Sequence, residues 1–91
     1  MGSTMPYSNE KILIVDDERR MCDSLKALLS VKGFDVRTRS NGHDALKYLR
    51  EESVDLILLD ISMEEMDGFR VMERIGREHL DIPVIIIGMC Q

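Results

Sequence analysis

Three short apolar runs constrain this 91-residue chain more than anything else in it. They are Ile12-Leu13-Ile14-Val15, Leu56-Ile57-Leu58-Leu59 at the end of a strand expected from Val54, and Val84-Ile85-Ile86-Ile87 after Pro83. Such runs are too short for a core helix and too continuous for a strand with one wet face. All three read as strands, the first buried on both faces, which requires a sheet covered above and below. Between them the pattern turns helical. Met21, Leu25, Leu28 and Leu29 recur on one stripe, and Gly33 follows as a helix-ending residue. After the Asn41-Gly42 turn, Ala45, Leu46 and Leu49 form the apolar face of a second helix ending near Glu52, and Asp67 can cap a third that runs through Ile75. Phe34-Asp35-Val36-Arg37-Thr38 alternates like a half-exposed edge strand, and Ile82-Pro83 opens the last strand, where proline is tolerated. The order is β-α-β-α-β-α-β. Strands alternating with helices imply right-handed crossovers and a parallel sheet, so the fold class is α/β, doubly wound.

Composition sets the limits around that frame. Hydrophobic residues at 44% and charged residues at 32% suit a single small globular domain, expected over residues 9–91, and argue against disorder. Seventeen acidic against twelve basic residues leave a net charge of −5, and there is no Trp to stack on bases. No grip on nucleic acid or anionic membrane is expected of this chain. Residues 1–8 read as a leader or tag, with neither the basic nor the apolar segment of a signal peptide. The longest apolar stretch falls far short of the roughly 20 residues of a membrane span. Two cysteines make no disulfide framework, which points to a reduced cytoplasmic chain. Cys22 is expected as a small core filler and Cys90 as an exposed thiol. His43 and His79 are expected on the surface, Met21 and Met72 in core stripes, and Tyr48 at a wetted core edge.

Candidate chemistry sits where the strands stop. Asp16 and Asp17 follow the first apolar run, and Asp60 follows the third strand's run. In an open α/β sheet, ligands bind beyond the carboxyl ends of strands. If these two strands are neighbours, three carboxylates crowd together, repel and raise one another's pKa. A hard cation such as Mg2+ relieves that conflict through oxygen ligands. A carboxylate beside Mg2+ can also attack a phosphoryl group.

Four segments in order resemble the response-regulator receiver domain of two-component signalling. Lys11-Ile12-Leu13-Ile14-Val15-Asp16-Asp17-Glu18 is similar to that family's opening strand. Asn41-Gly42-His43-Asp44-Ala45-Leu46 is similar to the start of its second helix. Asp55 to Met63, followed by Met66-Asp67-Gly68, is similar to its phosphoacceptor strand and loop, and Ile82-Pro83-Val84-Ile85-Ile86 to its fourth strand. The resemblance implies a flavodoxin-like fold with strand order 2-1-3-4-5. It implies Asp60 as the residue phosphorylated by a histidine kinase or phosphotransfer protein. It also implies an Mg2+ site made of Asp16, Asp17, Asp60 and the backbone carbonyl of Ser62.

Departures from the family pattern set the alternative. Gly88 stands at the switch position, where the family has Ser or Thr, so one hydroxyl contact to the phosphoryl group is absent; such a bond to a charged group is worth about 1.5–3 kcal/mol. The family's lysine, fourth and fifth helices and fifth strand have no counterpart here, which implies a receiver incomplete at its C-terminus. Glu64 stands where the family often has Pro. The outer edge of Val84–Ile87 is then expected to meet another copy, a swapped segment or further chain. The competing reading is a receiver-like protein-interaction module with weak or no phosphorylation. A haloacid-dehalogenase-like phosphatase is disfavoured because Asp60-Ile61-Ser62 lacks the second Asp. Beyond self-catalysed phosphoryl transfer, no enzyme activity is expected.

Overall fold

The computed structural model describes residues 10–60, 68–78 and 81–87. The elements run β1 (Lys11–Val15), α1 (Arg19–Val31), β2 (Asp35–Arg39), α2 (Gly42–Glu51), β3 (Leu56–Asp60), α3 (Gly68–Glu78) and β4 (Val84–Ile87). The four strands form one parallel sheet in the order β2-β1-β3-β4, with Ile12 beside both Val36 and Leu56, and Ile57 beside Val84. The chain moves one way from β1 to β2, then back across β1 to β3 and onward to β4. Right-handed crossovers therefore put α1 on one face and α2 and α3 on the other.

The side chains follow that division at the two-residue period of a strand. Leu13, Val15, Ile57 and Leu59 pack against Ala45, Leu46 and Leu49 of α2 and Val71 and Ile75 of α3. Ile12, Ile14 and Val36 face α1 through buried Cys22, with Leu25 and Leu29 half-buried beside it. Tyr48 and Met72 lie half-buried against the first cluster, as expected.

Local chemistry marks the boundaries. Gly33 has φ 101°, a left-handed conformation that lets its N–H bond the Ser30 carbonyl at 3.0 Å and close α1. At α2, Asn41 Oδ1 accepts the Asp44 N–H at 2.8 Å, so Asn41-Gly42 begins the helix directly. β3 starts at Leu56, two residues later than the strand start expected at Val54. The reason is Asp55, whose carboxylate accepts the Lys11 N–H at 2.8 Å while its own N–H reaches the Lys11 carbonyl.

The expected stripe of α1 is corrected. Cys22, Leu25 and Leu29 turn inward, whereas Met21 and Leu28 are 44% and 57% exposed. Residues 22, 25 and 29 lie on one line of the helix surface, and residues 21 and 28 sit one residue's rotation away from it. The small Cys22 side chain donates to the Asp16 carbonyl at 3.3 Å and so fixes the rotation. In β4, Ile85 and Ile86 are 50% and 41% exposed, so the strand expected to meet another copy or segment presents an apolar surface. The leader, Ser62, Met63, Glu64, Met66, Asp67, His79, Gly88, Met89 and Cys90 lie outside the described residues. Among the described residues no helix is long and apolar enough to cross a membrane.

Gly76 lies exposed within α3, and a Cβ built there meets no atom within 4 Å. Gly76→Ala is therefore expected to stabilise the protein by about 0.5–1 kcal/mol through the unfolded chain's lost freedom. A higher urea midpoint at unchanged slope checks it.

Candidate metal centre

β1 and β3 are adjacent and in register, Val15 opposite Leu59, so the next residues, Asp16 and Asp60, emerge side by side. Asp16 and Asp60 are buried at 5% and 6% exposure, while Asp17 is exposed. One carboxylate oxygen from each of the three lies within 4.8 Å of the others. The expected three-carboxylate cluster is thus assembled by the pairing of two strands 44 residues apart in register.

The backbone around Asp16 is held on two sides. Its N–H bonds the Arg39 carbonyl at the end of β2 at 3.1 Å, and its Oδ1 accepts the Glu18 N–H at 2.9 Å. Burial pushes the Asp16 carboxyl up to about 6. The Glu18 N–H opposes that rise, and a hydrogen bond shared with Asp60 and the charges of Asp60 and Asp17 add to it. Burial also pushes the Cys22 thiol up to about 11, with Asp16, Asp23, Asp17 and Asp60 adding to the effect. Cys22 is accordingly a packing residue and no thiolate nucleophile.

Two buried carboxylates side by side, with a third at the mouth, form an oxygen-only donor set. That chemistry fits a hard divalent cation, which would satisfy all three groups. Beside the cluster opens a cleft of about 470 Å³, lined by Asp16, Asp17, Arg19, Asp23, Arg39 and Asp44 among others. His43 lies exposed and apart from the cluster, as expected. Arg39 escaped sequence reasoning. Its only signal was its place two residues before the Asn41-Gly42 helix start, which says nothing until β2 is seen beside β1.

Comparison with known proteins places this geometry. Residues 12–91 match the family model of the response regulator receiver domain. The chain is 39% identical over 83 residues to the probable transcriptional regulator ycf27 of Pyropia yezoensis, covering 91% of this chain and 34% of that protein. It superposes with a TM-score of 0.83 and 34% identity on the response regulator protein TrrA of Thermotoga maritima in complex with Mg2+-BeF, covering 87% of this chain and 69% of that one. A CheY-like receiver domain protein of Methanospirillum hungatei gives 0.88 at 27% identity, over 92% and 67% of the two chains. The chain spans about a third of the length of the curated relatives it matches. The sheet order β2-β1-β3-β4 is the part of the implied 2-1-3-4-5 order that the described residues contain. Fold and sequence lead to the same place, and the chain belongs to the response regulator receiver domain family of two-component signalling.

Proposed function

We propose that this chain is a phosphoacceptor signalling module, in which Asp60 takes a phosphoryl group from a histidine kinase or phosphotransfer protein in the cytoplasm. In this reading Asp16, Asp17, Asp60 and the Ser62 carbonyl hold Mg2+. The observation that carries it is the meeting of three carboxylates within 4.8 Å, two of them buried. The Mg2+-BeF complex of the similar TrrA protein supports the same reading. When bound, Mg2+ offsets negative charge on the carboxylates and on the phosphoryl oxygens.

The chain's own residues do the rest. Asp60 ends β3 between β1 and β4, opposite Ile87, so its carboxylate stands on a rigid strand end. One Asp60 oxygen attacks phosphorus as the donor's P–N bond breaks, and the bonding pair leaves with the donor's imidazole nitrogen. Asp16 lies beside Asp60 and brings its carboxylate to the same donor set, leaving one Asp60 oxygen to act as the nucleophile. Asp17, exposed at the mouth, completes the acidic site without hindering approach.

Incubation with Mg2+ and acetyl phosphate tests the proposal by intact mass. A gain of one phosphoryl group, absent in Asp60→Asn and absent without Mg2+, is expected. An unmodified wild-type chain, or a gain that persists in Asp60→Asn, overturns it and leaves the interaction-module reading.

A further inference from the structure

Arg39 lies at the rim of the cleft beside the carboxylates, yet it is turned aside. Its guanidinium carbon sits 4.5 Å from the centroid of the Tyr48 ring on α2. Its Nη1 donates to the neighbouring Thr38 carbonyl at 2.6 Å. Its backbone carbonyl is bonded to the Asp16 N–H, which fixes the Arg39 Cα one strand away from the acidic site. Both the main cleft and a smaller hollow of about 220 Å³ over α2 are lined by Arg39 and Asp44, so the side chain stands on the boundary between the two.

We propose that Arg39 is a binding residue for an anionic phosphodonor, waiting on Tyr48 and swinging into the cleft when the donor's phosphoryl oxygens arrive. This rests on the phosphoacceptor reading above. Asp60 lies two strands from Arg39, about 10 Å at ordinary strand spacing, a span that an extended arginine and a phosphoryl group can close together. The resting contacts are one ring face and one neutral carbonyl. A phosphoryl group offers two charged oxygens in the planar geometry that a guanidinium matches, so the exchange favours the donor. Asp16, Asp17, Asp23 and Asp44 outnumber Arg19 and Arg39 around the cleft, so an anion is repelled unless a cation at the rim turns to meet it. No bond to Arg39 forms or breaks.

The test follows Asp60 phosphorylation by acetyl phosphate at saturating Mg2+ over a range of donor concentrations, in wild type, Arg39→Gln, Arg39→Lys and Tyr48→Leu. Arg39→Gln is expected to need about fivefold more donor for half-maximal rate while keeping the maximal rate within about twofold, with Arg39→Lys between. Tyr48→Leu, which removes the resting place, is expected to need less donor than wild type. Mg2+ titration followed by thermal shift should give the same affinity in all four. A stack that matters only for folding would move Arg39→Gln and Tyr48→Leu in the same direction, and that result overturns the inference. Equal donor dependence in Arg39→Gln and wild type overturns it too. Failure of the wild-type chain to accept phosphate is the distinct result that removes the underlying reading and this inference with it.

Discussion

Leu13→Ala is expected to cost about 3–4 kcal/mol of stability, a large share of the roughly 5–15 kcal/mol that holds a domain together. Leu13 is fully buried in the central pair of strands, between Arg37 of β2 and Ile57 of β3. It belongs to the cluster that joins β1 and β3 to α2 and α3. A strand cannot collapse into the space left behind without breaking its pairing on two sides, so most of the cavity persists. Leu28→Ala is the matched control: the same atoms are removed from a side chain that is 57% exposed, and a loss of no more than about 0.5 kcal/mol is expected. Urea unfolding of the two variants checks both. Equal losses would mean that α1 is rotated to bring Leu28 inward.

Asp16→Asn is expected to stabilise the metal-free protein at neutral pH by about 2–3 kcal/mol. Asp16 is buried beside Asp60, and its carboxyl is pushed up to about 6, above the value it has in the unfolded chain. Between about pH 4 and pH 6 the folded state therefore holds a proton that the unfolded state has released. The contribution of this group to stability falls as pH rises through that window, and the full penalty stands above it. Asparagine carries no charge and its oxygen still accepts the Glu18 N–H. The difference between variant and wild type should then vanish below about pH 4 and grow to its limit near pH 7. Chemical denaturation in a chelating buffer across that range is the measurement. Mg2+ should reverse the ranking at neutral pH, because it stabilises the wild-type cluster and binds the variant less well. A pH-independent difference would show that Asp16 titrates as an ordinary carboxyl and overturn the expectation.

How much of this was legible in the residues follows from the range over which each feature is decided. The four strands and three helices read correctly because burial leaves a local period, two in a strand and 3.6 in a helix, that needs no knowledge of the partner. Asp16, Asp17 and Asp60 stood out for the same reason, each ending or following a buried run. The rotation of α1 did not. Met21 and Cys22 are both acceptable core residues, and only the contact between the Cys22 thiol and the Asp16 carbonyl selects one of them. The start of β3 also escaped, because Asp55 closes its end of the strand through a partner 44 residues away.

The class of fold, the order of its elements and the three acidic residues that cluster are written in the order of the residues. Only the folded chain shows that Asp16 and Asp60 are both buried where β1 and β3 end, and that burial pushes the Asp16 carboxyl up to about 6. It alone placed Arg39 between Tyr48 and the cleft. The physical reason is the same in each case. Local patterns encode whether a residue is buried, while the pKa of a carboxyl or the resting place of a guanidinium depends on which distant groups share that burial.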